Sequence, residues 1–506
     1  MRRPRPVVLA LVVAGLGLTR AALFADPSDF PPDRKYEYIV VGAGPGGSVV
    51  ASRLSEDPNA NVLLIEAGPN DEGILEIEVP YLGYTLQPDT AYDWNYTTTP
   101  QKGLDDRVIL YSRGRVLGGS SSINLMVWTR SSRDDFDRYA SVSGDDGWSW
   151  DAVEPYFREI EHLVPPVDHH NTSGQVDFDI HGHRGPVNIT VANVPFPIDP
   201  HVYGTTQDLS KEFPYNGDMN SGNPIGIGQL SSWRATKEII LSAGAINTPQ
   251  LLMLSGIGPS VQLAGIAVET LVDNPPLDST SPIIRANSTL FNELLAEWEA
   301  EQQGVMANGG SNHVGWLRIP EDDPVWLTEK DPSAGPTSPH YEFLFRLYHQ
   351  PGFTSTVAGT PVPSTGYFMT ISAVVVSPSS SGSITLSSKS PFDFPIIDPA
   401  FLSTSFDVYA MRAAIRSVAR FVSAKTWDGF ITGQAASFAS VDLSSDESVD
   451  AWARSQASTI WHPTGTARMG GCGDNDSVVD PDLRVKGTKG LRVVDASVLV
   501  SGILLF

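Results

Sequence analysis

The feature that most constrains this chain is a glycine-rich turn between two short apolar runs. The first run, residues 36–41, predicts a buried strand, and Gly42, Gly44 and Gly47 follow it in G-x-G-x-x-G spacing. The first glycine of such a turn permits a tight bend, the second lets the backbone approach a pyrophosphate, and the third lets a helix pack on the strand. The N-terminus of that helix favours phosphate groups.

The second apolar run, Val62–Ile65, ends at Glu66, nineteen residues after Gly47. An acidic side chain at this place accepts hydrogen bonds from a ribose. A glycine turn alone is weak evidence, because many surface turns are rich in glycine. The order strand, glycine turn, helix, strand and acid is specific, and it predicts a dinucleotide site.

Composition bounds the class of protein. The chain has 506 residues, 41% of them hydrophobic and 18% charged, which is typical of a large globular enzyme with two domains. A net charge of −24 argues against nucleic acid and against anionic membrane surfaces as partners. A single cysteine, Cys472, excludes an internal disulfide and a cysteine metal cluster.

The first 25 residues have the layout of a secretory signal. Arg2, Arg3 and Arg5 precede an apolar core at 7–18, and small residues follow at 21–25. A membrane anchor is the alternative, but the apolar core is short for a span. The sequence therefore predicts a signal peptide at 1–25 and a secreted, extracellular, glycosylated protein. The N-x-S/T triplets begin at Asn95, Asn171, Asn188, Asn287 and Asn475.

Apolar periodicity and turn residues give a coarse secondary structure. Helices are expected at 134–140, 151–161, 247–254, 407–422 and 448–457. Strands are expected at 238–241, 367–376, 383–386 and 491–494. The nucleotide-binding pieces therefore lie at both ends and in the middle of the chain, with a β-rich part between them.

Two further motifs carry chemistry. Residues 113–128, RGRVLGGSSSINLMVW, offer small side chains and backbone N–H groups that suit a ligand lying on the main chain. On its own this cluster is equally consistent with a surface turn. Residues 244–258, GAINTPQLLMLSGIG, predict a helix entered through Thr248-Pro249.

Together the three elements resemble the glucose–methanol–choline (GMC) family of flavin oxidoreductases. Residues 114–128 match its first signature and residues 244–258 its second. The resemblance extends from about residue 36 to residue 498, including HPTGTARMG and the closing VVDPDLRVKGTKGLRVVDASVL. The segments YDWNYTTTPQ, DHHNTSG and FPYNGDMNSGNPIGIG are similar to the aryl-alcohol oxidase-like branch.

The resemblance implies FAD as the cofactor and assigns roles to matching residues. The residues implied for the ADP half are Gly42, Gly44, Gly47 and Glu66. Those implied to line the flavin are Gly118, Gly119, Ser120, Asn124, Leu125, Met126 and Val127. Asp495 and Ala496 would approach the pyrophosphate and the ribityl chain, and His462 matches the active-site histidine.

Alcohol oxidation explains why such a site contains a histidine. An alcohol gives hydride to flavin N5 only when its hydroxyl proton leaves, and imidazole is a suitable base near neutrality. From the residues alone, His462 beside Pro463 would more often be structural. The motifs His169-His170 and His181-x-His183 invite a metal interpretation, but they lie in polar loops without a ligand set, so we expect no metal.

The substrate is less constrained than the cofactor. Trp461, Tyr92 and Trp94 could shape an apolar pocket, or they could be core residues. Aryl-alcohol oxidases place an aromatic ring just after the position of Asn124, where this chain has Leu125, which weakens the case for an aryl substrate. The expected substrate is a small-molecule alcohol, primary or aromatic, with oxygen or a quinone as electron acceptor.

The expected fold class is α/β, with a Rossmann-like FAD-binding domain interleaved with an α+β substrate-binding domain built on an antiparallel sheet. We assign residues 33–160, 234–274 and 448–506 to the FAD-binding domain. Residues 161–233 and 275–447 are assigned to the substrate-binding domain.

Three departures from the family point to a truncated or mis-spliced version of it. A helix and a strand pair that the family has after Gly226-Ile-Gly-Gln are missing before Arg234. Residues 275–282 replace a short stretch near the flavin, and the second catalytic residue expected after Val498 is not in the sequence. Open alternatives are glucose- or choline-dehydrogenase activity, a hydroxynitrile lyase, a catalytically impaired flavin-binding remnant, and a product that does not fold.

Overall fold

The computed structural model describes residues 22–24, 34–234, 244–254, 264–272, 288–309, 311–346, 367–434 and 436–500. The helices within these ranges are α1 Pro45–Leu54, α2 Leu75–Glu78, α3 Arg133–Ser143, α4 Trp150–Ile160, α5 Asp199–Asp208, α6 Gly244–Leu254, α7 Ser288–Glu301, α8 Ser405–Phe421, α9 Ala436–Ala439 and α10 Asp446–Gln456. The strands are β1 Tyr38–Val41, β2 Val62–Ile65, β3 Val127–Trp128, β4 Glu161–Leu163, β5 Val187–Val191, β6 Gly226–Gln229, β7 Ser231–Arg234, β8 Ala264–Val272, β9 His313–Leu317, β10 Tyr341–Arg346, β11 Tyr367–Val375, β12 Ser383–Thr385, β13 Ile396–Asp398, β14 Ile431–Gln434 and β15 Ser458–Thr459.

The glycine turn connects a βαβ unit, as the sequence predicts. β1 and β2 are parallel, with Tyr38 opposite Val62 and Val41 opposite Ile65, and α1 crosses between them. Within the described part of the chain, this sheet has these two strands. The β1 side chains are unusually open for a strand of this kind, since Ile39 is 62% exposed and Val41 51% exposed.

The largest sheet has seven strands and is antiparallel. Its order is β14-β8-β11-β10-β9-β6, and β15 also pairs with β8. The longest ladder joins β8 and β11 over nine residue pairs, from Ala264 opposite Val375 to Val272 opposite Tyr367. Alternating residues of β10 and β11 reach the main hydrophobic core, among them Phe343, Phe345 and Ile371.

Helix α8 packs on one face of this sheet. Thr404 caps its N-terminus by accepting a hydrogen bond from the N–H of Asp407 at 3.3 Å. Phe406, Ala410, Ala414 and Val418 recur every four residues and are all buried. This spacing places them on one face of the helix, which explains why the helix lies flat against the core.

A second, four-stranded sheet has the order β3-β7-β5-β4. Only Leu230 separates β6, which belongs to the large sheet, from β7, which belongs to the small one. The chain therefore passes directly from one sheet to the other at this buried leucine. The missing block predicted from the sequence would fall four residues later, before Arg234 at the end of β7.

Two segments assigned to the FAD-binding domain show unexpected secondary structure. Residues 264–272, within the segment 234–274, form β8, an interior strand of the large antiparallel sheet. The strand expected at 491–494 is wrong, because Arg492 makes only an isolated bridge with Arg484. Leu491 and Val493 make the two hydrogen bonds of this bridge, to the backbone of Val485 and Leu483, and the pairing does not extend into a strand. The strand expected at 238–241 lies outside the described residues.

The other predicted elements agree with the structure to within a few residues. The helices expected at 134–140, 151–161, 247–254, 407–422 and 448–457 are α3, α4, α6, α8 and α10. The strands expected at 367–376 and 383–386 are β11 and β12. Among the described residues, no helix combines the length and the apolar character that a bilayer span requires.

Candidate active site

The first glycine loop has the backbone geometry that a dinucleotide needs. Gly42 has a φ of 91°, in the left-handed region that favours glycine, and its N–H donates to the carbonyl of Ile65 at 2.7 Å. Helix α1 begins at Pro45, and Gly44, which precedes it, caps the helix with no side chain. The N-terminus of α1 is therefore not closed by a protein side chain, and its dipole favours an anionic group.

Glu66 holds this loop against the end of β2. One carboxylate oxygen accepts from the N–H of Ala43 and the other from the N–H of Gly68, each at 2.8 Å. An ionised carboxylate has about four acceptor positions, so Glu66 can take further hydrogen bonds from a ribose. The residue is half-buried, at the edge of the loop where a ribose would lie beside the pyrophosphate.

The second glycine cluster lies against the first. The N–H of Gly118 donates to the carbonyl of Ala43 at 3.1 Å, and Gly118 and Gly119 both have positive φ, of 96° and 55°. The Ser120 hydroxyl accepts from the N–H of Gly114 at 3.1 Å. A Cβ on Gly114 would stand 2.1 Å from the carbonyl oxygen of Gly119. The backbone at Gly114 therefore packs directly against the backbone at Gly119, with no side chain between them.

Residues 124–127 lead from this loop to the four-stranded sheet. The Asn124 side chain accepts from the N–H of Met126 at 2.9 Å, which holds Met126 at a φ of 57°. Val127 begins β3 and pairs with Ser232 of β7. Leu125 packs against a separate apolar cluster around Tyr81, Leu82, Trp298 and Met306.

His462 follows β15 and enters the same region from the other side. Val127 and Trp461 both pack on the Trp316 cluster, which consists of Met219, Leu230, Val314, Trp316, Leu344, Val374, Val376 and Ile460. Trp461 has a φ of 62°, and its N–H donates to the Thr459 hydroxyl at 3.0 Å. This turn places His462 beside the wall that Val127 and Trp461 share.

The imidazole of His462 is electrically neutral under ordinary conditions. Burial lowers the pKa of His462 to about 3, and the positive charge of Arg113 contributes in the same direction. Its Nδ1 atom is buried, whereas the residue as a whole is partly exposed. A neutral imidazole keeps a lone pair on one ring nitrogen, which can accept a proton.

Asp495 and Ala496 tie the closing segment to the other motifs. One Asp495 oxygen accepts from the Thr248 hydroxyl of α6, and the other from the N–H of Ser497 at 2.9 Å. The carbonyl of Ala496 accepts from the N–H of Gly465 at 3.2 Å. The segment that follows His462 is thus held directly by the predicted pyrophosphate-binding residues.

Two buried residues of this region escaped the sequence analysis. Asp93 accepts from the N–H of Arg113 at 2.8 Å, and the guanidinium of Arg113 lies 4.6 Å from the ring centre of Tyr111. Arg113 is the first residue of the RGRVLGGSSS motif, so its position was visible in the sequence. The burial of Arg113 could not be seen in the sequence, because no local pattern shows that the β-bridge between Asp93 and Gly114 forms next to it.

The aromatic residues near this motif are divided between pocket and core. Trp94 stacks on Tyr96 with ring centres 5.7 Å apart, and Arg115 lies over Trp94 at 5.5 Å. Tyr92 packs on a small cluster with Val116. Trp461, by contrast, directly precedes His462 in the chain and packs on the Trp316 cluster.

The remaining histidine motifs make protein contacts. His170 bonds to Asp168 at 2.7 Å and to Gln175 at 3.1 Å, and His183 stacks on Phe178 with ring centres 3.9 Å apart. His181 is buried between Glu161 and Asp218. Within the described ranges, no three His, Cys, Asp or Glu side chains are placed to share a metal ion.

Comparison with known proteins gives a consistent family. The N-terminal model of the GMC oxidoreductases matches residues 36–200 and 226–283, and the C-terminal model matches residues 378–503. Pyranose dehydrogenase 3 of Leucoagaricus meleagris is 36% identical over 567 aligned positions, covering 97% of this chain and 94% of that protein. A pyranose dehydrogenase of Agaricus xanthodermus is 35% identical, with coverages of 97% and 94%.

Solved structures agree on the fold. Formate oxidase from Aspergillus oryzae, studied for its FAD modification, has a TM-score of 0.79 at 25% identity, covering 92% of this chain and 94% of that one. A fungal aryl-alcohol oxidase has a TM-score of 0.74 at 20% identity, with coverages of 92% and 95%. The alignment of 567 positions exceeds the 506 residues of this chain, so pyranose dehydrogenase 3 has segments without a counterpart here.

The site residues fit the cofactor of this family. The helix N-terminus after Gly44 has no side-chain cap and suits the pyrophosphate. The bare backbone contact between Gly114 and Gly119 suits the flavin, and the carboxylate of Glu66 suits the ribose. FAD is therefore the dinucleotide for which the two glycine loops are built. The chain belongs to the GMC oxidoreductase family.

Proposed function

We propose that this chain is an FAD-dependent oxidoreductase that oxidises a CH–OH group to a carbonyl, with His462 as the base. The observation that carries the proposal is a neutral imidazole at the meeting point of three motifs. Trp461, which directly precedes His462, packs on the same cluster as Val127 of the second glycine motif, and Gly465, three residues after His462, is hydrogen-bonded to Ala496. When bound, FAD supplies the hydride acceptor, flavin N5.

The residues of this chain have separate tasks in that reaction. The loops at Gly42–Gly47 and Gly118–Ser120 would hold the cofactor. His462 would accept the hydroxyl proton as the C–H bond breaks, and its lowered pKa leaves the ring unprotonated at the start of the reaction. Trp461 and the Trp316 cluster would keep water away from the reacting carbon.

The substrate class favoured first is a sugar. The pyranose dehydrogenases that match this chain at 36% and 35% identity cover nearly all of it. A pyranose offers secondary CH–OH groups that a neutral histidine base can deprotonate, and oxygen or a quinone would take the electrons from the reduced cofactor.

An aromatic primary alcohol is the second candidate. The observation in its favour is Trp461, which directly precedes His462 in the chain and whose ring could stack on an aryl group. Leu125, at the place where aryl-alcohol oxidases have an aromatic ring, packs into another cluster instead. Comparison of the two substrate types on the same preparation decides between them.

A catalytically impaired flavin-binding remnant is the alternative to an active enzyme. The exposed apolar side chains of Ile39 and Val41 favour it, because a dinucleotide-binding strand is normally covered on both faces. In that case the protein would bind FAD and leave both substrates unchanged.

The test is an anaerobic titration of the flavin absorption band with a pyranose and with an aromatic alcohol. We expect bleaching with the pyranose, and a decrease in its rate of roughly 10²- to 10⁴-fold in His462→Ala at unchanged FAD content. His183→Ala, in an exposed ring that stacks on Phe178, is the matched control and should retain the wild-type rate.

Each outcome has a consequence. Equal rates in wild type and His462→Ala would exclude His462 as the base. A stable band with both substrates would overturn oxidation of either one by this chain, and a colourless protein would overturn FAD binding.

We also propose export of the protein, on the basis of the basic and apolar pattern of residues 1–25. N-terminal sequencing of the product collected outside a eukaryotic host tests it. A start near residue 26 is expected, and a product retained inside the cell with an intact N-terminus would contradict it.

A further inference from the structure

Four N-x-S/T triplets lie in the described part of the chain, and their surroundings differ sharply. They begin at Asn95, Asn171, Asn188 and Asn475, while Asn287 lies outside the described residues. A glycan is a bulky surface group, so an occupied asparagine must keep its native contacts when one hydrogen of Nδ2 is replaced. This requirement separates the four.

Asn171 meets the requirement. It is exposed, as are Ser173 and Gly174 beside it. Its side-chain oxygen accepts from the N–H of Ser173 at 3.0 Å and from the Ser173 hydroxyl at 2.7 Å. Its Nδ2 makes no hydrogen bond within the described part of the chain, so a sugar attached there would leave both bonds intact.

Hydrogen bonds made by the neighbours of Asn171, and not by its own Nδ2, fix the loop around it. His170 bonds to Asp168 and Gln175, and the Tyr215 hydroxyl donates to the carbonyl of Gly174. The asparagine is thus presented on a fixed turn. A glycan on it would project from an exposed part of this turn.

Asn95 fails the requirement. It has a φ of 55°, and its Nδ2 donates to the carbonyls of Thr90 and Asp93, both at 3.2 Å. Its oxygen accepts from the N–H of Asp89 at 2.6 Å. Glycosylation would leave Nδ2 a single hydrogen, so at least one of the two bonds that close this loop would be lost.

Asn188 fails for a different reason. It lies in β5, where it is paired with His162 of β4 on one side and Arg234 of β7 on the other. Thr190, the third residue of its triplet, points to the same face of the sheet and is only 8% exposed. A sugar on Asn188 would therefore be forced against a covered face.

Asn475 is exposed but lies in an acidic turn. Asp474 and Asp476 flank it, and the Ser477 hydroxyl of its triplet is buried and donates to the carbonyl of Asp474 at 2.9 Å. The fold would tolerate a sugar there. The local negative charge opposes approach of a pyrophosphate-linked donor.

We propose that Asn171 is a site of N-linked glycosylation, and that Asn95 and Asn188 are not. The proposal depends on export, since the modification occurs in the secretory route, but it does not depend on the oxidoreductase activity. Asn171 lies on a loop of the predicted substrate-binding domain and takes no part in the site around His462.

The experiment uses the full chain secreted from a eukaryotic host in two forms, one with its own residues 1–25 and one with the leader of the host. Enzymatic removal of N-glycans in heavy-oxygen water converts each occupied asparagine to a labelled aspartate, which peptide mass spectrometry locates. We expect the label at Asn171 and unlabelled peptides at Asn95 and Asn188 in every secreted product.

Asn171→Gln should lose one glycan on a gel while keeping wild-type secretion and flavin absorption. Asn95→Gln and Asn188→Gln should leave the glycan pattern unchanged. An unlabelled Asn171 in the product carrying the host leader would overturn the proposal even if export by the chain's own leader has failed. A labelled Asn95 or Asn188 would overturn it as well.

Discussion

At the residue scale, the buried ring of His462 determines how the proposed reaction should respond to pH. Burial and the charge of Arg113 lower the pKa of His462 from 6.5 to about 3. The ring therefore stays neutral when the pH is lowered well below neutrality. The pH profile of kcat/KM reports ionisations of the free enzyme. We expect no acid limb near pH 6.5 that belongs to His462, and a limb near its lowered pKa instead.

The charge of Arg113 can be tested in the same profile. Arg113→Gln removes a positive charge that opposes protonation of His462, so the acid limb should move to higher pH, whereas Arg113→Lys keeps the charge and should leave it in place. A limb near pH 6.5 in the wild type would contradict the low pKa. Identical limbs in the two variants would show that Arg113 has no electrostatic role.

Gly114 packs against Gly119 within the second glycine motif, and this contact predicts how a methyl group added at Gly114 would affect FAD binding. In Gly114→Ala the Cβ would stand 2.1 Å from the Gly119 oxygen and 2.5 Å from the Ser120 nitrogen, so the backbone must move. Such overpacking costs about 1–3 kcal/mol and distorts the surface that faces the flavin. We expect loss of FAD, measured as flavin absorbance per chain.

A matched control for that substitution lies elsewhere on the surface. Gly473→Ala adds a Cβ with nothing within 4 Å, at a φ outside the left-handed region, and should bind FAD like the wild type. Full flavin occupancy in Gly114→Ala would show that the loop around Gly114 does not shape the cofactor site.

At the element scale, a buried ionic network joins three segments of the substrate-binding half. His181 lies between Glu161, the first residue of β4, and Asp218, with 3.0 Å to each, and Arg130 also binds Glu161. Burial opposes charge on His181, but its hydrogen bonds to Asp218 and Glu161 raise its pKa. The protonated ring therefore satisfies two carboxylates at once.

A raised pKa in the folded state makes stability depend on pH in a defined direction. The contribution of His181 is fully present below pH 6.5, and it is lost as pH rises through the raised pKa of the folded protein. Breaking a buried ion pair costs about 3–5 kcal/mol. We expect His181→Gln to lower Tm most at low pH, with the difference from wild type shrinking as pH rises.

Thermal unfolding across this range checks the network, with His183→Gln as the control because that ring is exposed. A Tm difference between wild type and His181→Gln that does not change with pH would mean that the charge on His181 does not contribute. A pH-dependent difference in the His183 variant would point to a general effect of the loop.

The elements also show what a sequence alone can and cannot give. Helices such as α8 and α10 were predictable to within about two residues, because Thr404 and Ser445 cap their first turns and apolar residues recur every four positions. Residues 491–494 were not, since a strand depends on a partner elsewhere in the chain. For the same reason, the sequence did not show that β8 joins the large antiparallel sheet.

The candidate site divides in the same way. The glycine loops and Glu66 follow from local spacing that the chain carries openly. His462 was identified only through the family resemblance, because nothing in its own neighbourhood distinguishes a basic histidine from a structural one. Arg113 and Asp93 were missed, since their burial arises from a bridge that no local pattern reveals.

At the scale of the whole molecule, the described parts of the two halves differ in how well their apolar side chains are buried. The seven-stranded sheet and α8 share a core of fully buried aromatic residues, including Phe343, Phe421 and Trp427. In the described part of the dinucleotide half, β1 pairs only with β2, and Ile39 and Val41 are mostly exposed. The free energy needed to open a segment locally increases with the apolar contact that it buries. We therefore expect the two halves to open independently.

Hydrogen exchange measures this difference directly. Without cofactor, amides of β1 should exchange much faster than those of β10 and β11, which are hydrogen-bonded on both sides within the large sheet. Because FAD would bind only the folded form of the dinucleotide half, adding it should slow exchange in β1 and β2 and leave β10 unchanged. Equal protection of β1 and β10 in the absence of FAD would mean that β1 is stabilised by contacts beyond β2. Uniform slowing of both halves by FAD would show instead that the molecule unfolds as one cooperative unit, and that the exposed strand is part of it.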